Sequence, residues 1–195
     1  MVAKKTEGRS GKGEDGRAHT REAKPGRVFT QTTTDDQGRP VRDEDSTTYT
    51  GAIEPAAEFR RRIYTEAHQR GWGRAQIKVA IGDGAEWVWN PCQEQFPGAI
   101  QIVDLYHARQ HLRDLGGGLH PNDETAKRRW VMSCQHLLDD GKIEKLVAKP
   151  RTLSPDNPEL AAAVRTEANY IERNAERMRH AEFRRKGLFV GWGGH

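Results

Sequence analysis

The chain has 195 residues, of which 34% are hydrophobic and 31% charged, and a formal net charge of +4 at pH 7. No apolar run approaches the ~18–20 residues of a membrane-spanning helix, and the 2 cysteines, Cys92 and Cys134, are too few for a disulfide framework. No apolar signal stretch follows Met1, so a reduced cytoplasmic setting is expected.

Charge is unevenly spread. Residues 1–27 hold 8 Lys/Arg against 4 Asp/Glu, residues 28–164 hold 17 against 20, and residues 165–195 hold 7 against 4. Basic ends suit a nucleic-acid partner, and solvated termini account for them equally well.

Residues 1–27 read as a flexible coil, because glycines alternate with charges and nothing apolar recurs with a period. Val28–Thr34 is β-branched and aromatic and predicts a strand. Asp35-Asp36-Gln37-Gly38 signals a turn, with a weaker extended stretch at Arg39–Val41 that could pair back and another at Ser46–Thr50. Glu54-Pro55 opens a helix with proline where its missing N–H is harmless. Phe59, Ile63 and Ala67 give that helix a core-facing stripe, and Gly71 ends it.

Ile77–Ile81 is the clearest strand, and Gly82-Asp83-Gly84-Ala85 follows it at once. Glu86–Phe96 predicts a helix that Pro91 interrupts, and Ala99–Val103 predicts a second apolar strand ending at Asp104. Strand, helix and strand within some thirty residues make a βαβ unit with parallel, buried strands. The remainder reads as helical: Leu105–Leu115 ended by Gly116-Gly117-Gly118, Asn122–Asp139, Ile143–Ala148 and Glu159–Arg179. Gly187–His195 is Gly-rich, with one strand-like triplet at Leu188–Val190.

Two carboxylates stand out. Asp83 lies between two glycines just beyond a buried strand, where ligands of open α/β sheets gather. Asp104 ends the neighbouring strand, so the two share a sheet edge and could hold Mg²⁺. Each could instead cap the helix that follows it. His107 and His111 share one face of the next helix, a spacing a metal could use, but no CxxC completes a zinc site. Arg109 and Arg113 add positive charge there. Glu86 is a further acid that salt bridging also explains. Trp72, Trp87, Trp89 and Trp130 fit a core better than a base-stacking platform. Neither a phosphate-loop nor a dinucleotide fingerprint is present, and no GxSxG appears.

The runs Gly82-Asp83-Gly84-Ala85-Glu86-Trp87-Val88-Trp89-Asn90 and Phe96-Pro97-Gly98-Ala99-Ile100-Gln101-Ile102-Val103-Asp104-Leu105-Tyr106-His107-Ala108-Arg109 resemble the Kra-type insertion-sequence transposases of bacteria, distant relatives of the Mutator-like DDE transposases. Phe29–Thr34 and Ile171–Arg179 fit the same family, so the resemblance runs from about residue 8 to residue 190. It implies an α/β RNase H-like core in which two Asp and a Glu hold two divalent metals, Mg²⁺ or Mn²⁺, for phosphoryl transfer on DNA. On that resemblance Asp83 takes the second catalytic, metal-binding Asp's place. Asp104 and His107 match the Asp/Cys-x-x-His signature, and residues after Asp104 form an all-helical insertion.

The expected organisation is a flexible segment over 1–27, a partial RNase H-like core over 28–104, a helical insertion over 105–186 and a truncated tail over 187–195. The strand bearing the family's first Asp and the helix bearing its Glu have no counterpart in this sequence. The expectation is therefore a truncated transposase, inactive alone, whose mixed sheet lacks its first strand. Exposed strand edges then imply marginal stability or aggregation. The alternative is a non-catalytic regulatory remnant that binds transposon ends or associates with full-length transposase, with Arg109, Arg113, Arg173 and Arg177 as DNA-binding candidates. A third reading is an unrelated small metal-dependent hydrolase using Asp83, Asp104 and His107.

Overall fold

The computed structural model describes residues 24–191, and the expected coil over 1–23 lies outside them. Among the described residues the protein is mixed α/β, with short strands first and helices dominating the rest.

Strand β1 (Lys24–Val28) pairs antiparallel with β4 (Thr48–Ala52), with Lys24 opposite Ala52 and Val28 opposite Thr48. Lys24–Arg27 therefore belong to a strand rather than to coil. Pairing with Thr48–Ala52 supplies the ladder that the local sequence does not advertise. The expected strand over 28–34 is split: Val28 ends β1, and Thr33–Thr34 form β2, which makes a small hairpin with β3 (Pro40–Val41). Between β1 and β2, Asp43 gathers the threonines. It accepts hydrogen bonds from the hydroxyls of Thr30, Thr32 and Thr33 and from the Thr32 amide. That pull towards a side chain competes with a continued ladder.

Helix α1 (Ala56–Gln69) covers the β1–β4 ribbon. Phe59 and Ala67 are buried, and Ile63 touches the place a side chain at Gly26 would fill. A 3-10 turn at Trp72–Arg74 leads into β5 (Val79–Gly82). Helix α2 (Glu86–Gln95) runs on through position 91, and β6 (Ile100–Val103) lies parallel to β5, with Val79 opposite Ile100 and Gly82 opposite Val103.

The strands do not join into one mixed sheet. They make three separate two-stranded pieces, β1–β4, β2–β3 and β5–β6. No described strand lies along the second edge of β5, and all four of its residues are half-buried. By contrast, Ile102 and Val103 on β6 are fully buried.

Helices α3 (Leu105–Leu119), α4 (Glu124–Asp139), α5 (Ile143–Arg151), α6 (Pro158–Asn174) and α7 (His180–Arg185) complete the fold, with a 3-10 turn at Ala175–Met178 between the last two. The glycines at 116–118 do not end α3. A Cβ on Gly116 would meet Val131 Cγ2 at 2.5 Å, so the missing side chain lets α3 cross α4 closely. The expected long helix over 159–179 breaks after Asn174, whose amide turns back to bond the Tyr170 and Gly84 carbonyls.

One hydrophobic core spans the βαβ unit and the helices. Trp89, Ile102, Val103, Leu105, Leu112, Leu138 and Ile171 belong to it. The expected boundary at 104/105 is thus not a packing boundary, because β6 is covered by the helices that follow it.

Candidate functional site

Parallel pairing puts the next residue of each strand at the same end. Gly82 is opposite Val103, so Asp83 and Asp104 emerge side by side, about 5 Å apart in backbone spacing. The Asp104 amide donates to the Gly82 carbonyl at 2.7 Å, which fixes this register.

Each carboxylate also does local work. Asp83 Oδ1 accepts the Ala85 N–H at 2.9 Å and tightens the turn into α2. Asp104 is the N-cap of α3, accepting the Tyr106 amide at 2.8 Å and the His107 amide at 3.4 Å. The capping alternative therefore holds for Asp104. Asp83 closes the turn just ahead of its helix.

Helix α6 clamps that turn from above. The Tyr170 hydroxyl donates to the Asp83 carbonyl at 2.7 Å, and Asn174 Nδ2 donates to the Gly84 carbonyl at 3.2 Å. Gly84 has φ +93°, and a Cβ there would sit 2.4 Å from the Tyr170 oxygen, so only glycine fits. Burial, then the charges of Asp83, Glu167 and Asp104, push the Tyr170 phenol far above its ordinary value. It stays a hydrogen-bond donor at any working pH. His111 stacks on the Tyr170 ring with centroids 3.7 Å apart and bonds Glu167 through Nδ1 at 2.8 Å.

The tail closes the same end. Gln31 donates to the Gly187 carbonyl at 2.8 Å and accepts the Phe189 amide at 3.0 Å, while Phe29 meets Phe189 edge-on at 5.6 Å. Val190 then takes the Leu105 N–H at 3.0 Å. Gly191, at φ +107°, packs so closely that a Cβ would lie 2.3 Å from Asp104 Oδ2. Leu188–Val190 forms no strand, yet these contacts lead the chain to Asp104.

The other sequence candidates scatter. His107 is exposed, its ring edge-on to Tyr106 at 5.9 Å, and His111 is held by Glu167. Arg109 grips both oxygens of Asp139 at 2.9 Å and braces α3 on α4. Arg113 bonds Gln110 and lies over the Tyr106 ring at 5.3 Å. Arg173 pairs with Glu86, and Arg177 packs on Trp89.

Among the described residues, no three His, Cys, Asp or Glu side chains converge as a metal centre needs. Asp83 and Asp104 offer a single divalent ion two carboxylates, each partly committed to a backbone amide. That donor set does not fit a two-metal centre. His111, singled out in the sequence for a metal-compatible spacing, instead serves Glu167 and Tyr170. Glu167, Tyr170 and Asn174 were not found from sequence: Tyr170 and Asn174 bond the Asp83–Gly84 turn from some ninety residues away, and no local pattern marks such a contact.

No helix among the described residues is long and apolar enough to cross a membrane. No protein-family model, no curated protein and no solved structure matches this chain.

Proposed function

We propose that this chain derives from a DDE-type DNA transposase and retains nucleic-acid binding without catalysing strand transfer by itself. One observation carries the reading. Asp83 and Asp104 stand at the ends of adjacent parallel strands, behind an antiparallel ribbon and a helix, with a following helical segment that returns its last described residues to Asp104. That order supports an RNase H-like ancestry. The inactive reading rests on a requirement of the chemistry: phosphoryl transfer on two metals needs several carboxylates set to within a fraction of an ångström, and Asp83 and Asp104 are each partly committed to a backbone amide.

The regulatory role follows from the same parts. A folded remnant that still meets DNA can occupy element ends or join full-length transposase without cutting.

The test has two arms. Incubated with duplex DNA and Mg²⁺ or Mn²⁺, the full chain is expected to leave the strands intact. Nicking or joining that Asp83→Ala abolishes would overturn the inactive reading. In a binding titration, affinity for duplex DNA should fall with salt in a linear log–log plot. Absence of binding at ~50 mM salt would remove the nucleic-acid reading.

A further inference from the structure

Beside the Asp83 turn lies a cavity of about 230 Å³, formed where α6 and its 3-10 extension meet the start of α2. Arg173 and Arg177 line it, with Gly84, Glu86, Trp89 and Asn90. Its electrostatics are unbalanced. Arg177 is half-buried, yet its hydrogen bonds all go to neutral oxygens: Gln101 Oε1 at 2.7 Å, the Arg173 carbonyl at 3.3 Å and Asn174 Oδ1 at 3.4 Å. Its guanidinium carbon sits 5.1 Å from the centre of the Trp89 ring.

By contrast, Arg109 is neutralised by Asp139, and Arg179 by Glu144, Glu176 and Glu182. A partly desolvated cation without a counter-charge is costly. Trp89, 4% exposed, gives Arg177 a ring face to pack on and no negative charge. Helix α2 begins here from Ala85, which supplies no side-chain cap, so its amide end adds positive potential. The single carboxylate lining the cavity is Glu86, exposed at its rim and paired with Arg173. Such an exposed pair is weak and readily exchanged.

We propose that this cavity binds a phosphate group, held by the guanidinium forks of Arg177 and Arg173, and that Glu86 is a built-in competitor which the phosphate displaces. Two guanidiniums and amides at a helix start are donors matched to a tetrahedral oxyanion. The phosphate belongs either to a nucleic-acid strand or to a small phosphate compound. The nucleic-acid source rests on the function proposed above, whereas the phosphate chemistry does not.

The full chain is titrated with inorganic phosphate at constant ionic strength, followed by phosphorus NMR line broadening and by thermal shift. Glu86→Gln should tighten phosphate about 2–5-fold, the worth of an exposed ion pair. Arg173→Gln should weaken it about tenfold or more, the worth of a charged hydrogen bond. Glu159→Gln, an equal charge change on the first turn of α6, should do neither. Phosphate affinity that ignores Glu86→Gln and Arg173→Gln, or that responds equally to Glu159→Gln, overturns the site.

A dT10 oligonucleotide separates the sources. If its affinity follows the same two variants, the phosphate is that of a strand. If it binds but ignores them, the strand source is overturned and the DNA contact lies elsewhere. If it does not bind while phosphate still responds, the proposed function falls and the site stands.

Discussion

Lowering the pH should destabilise this protein through His180. Its Nε2 lies 2.7 Å from the Val103 carbonyl, which can only accept, so Nε2 carries the hydrogen and Nδ1 is bare. Nδ1 is buried without a partner, and the whole residue is 0% exposed. Burial is the main cause that drops the imidazole from 6.5 to about 4; the Val103 hydrogen bond and the charges of Asp139 and Asp104 oppose it, and Arg184 reinforces it. The neutral ring is therefore the folded form.

Because the folded pKa lies below the unfolded one, the unfolded chain binds the proton more tightly. Stability is complete above about pH 6.5 and falls as pH drops towards 4. One proton costs about 1.4 kcal/mol per pH unit in that window, so roughly 2–3 kcal/mol is lost between pH 7.5 and pH 4.5. That is a large part of the ~5–15 kcal/mol a domain of this size commonly has. Asp43, held low by its hydrogen bonds from Thr32 and Thr30, acts further down the scale: its contribution is present above about pH 3.8 and is lost below it. Urea unfolding at half-unit pH steps measures the slope. His180→Gln keeps a donor for the Val103 carbonyl and removes the titration, so its stability should be flatter across this range. Equal slopes for the variant and the parent would refute the reasoning.

Two further outcomes follow from packing. Gly116→Ala should destabilise by about 1–3 kcal/mol, read by thermal melting, because the new methyl meets Val131 across the α3–α4 crossing; an unchanged Tm would show that the crossing is loose. Cys92 and Cys134 are buried free thiols, and burial pushes Cys134 up to about 11. Neither should react with a thiol reagent at pH 8 until denaturant is added, and prompt labelling of the native protein would contradict the core described above.

The sequence carried the local elements whose signals are self-contained. The apolar runs around Val79–Gly82 and Ile100–Val103, the proline-opened helix and its Phe59–Ile63–Ala67 stripe, and the positions of Asp83 and Asp104 after their strands are all written in period and punctuation. Those features depend on residues a few places apart, and so does the capping role weighed for Asp104.

Tertiary structure decided the rest. Lys24–Arg27 becomes a strand because Thr48–Ala52 offers a ladder, and Gly116 stays helical because Val131 fills the space a side chain would take. The long helix passes into a 3-10 turn after Asn174, whose side-chain amide is taken by the Gly84 carbonyl ninety residues earlier. Arg109, Arg173 and Arg177 are all charges in the sequence, but only packing shows that the first meets Asp139 while Arg177 meets no acid. Desolvation and pairing depend on what is adjacent in space, and adjacency across seventy or ninety residues leaves no mark in a local pattern.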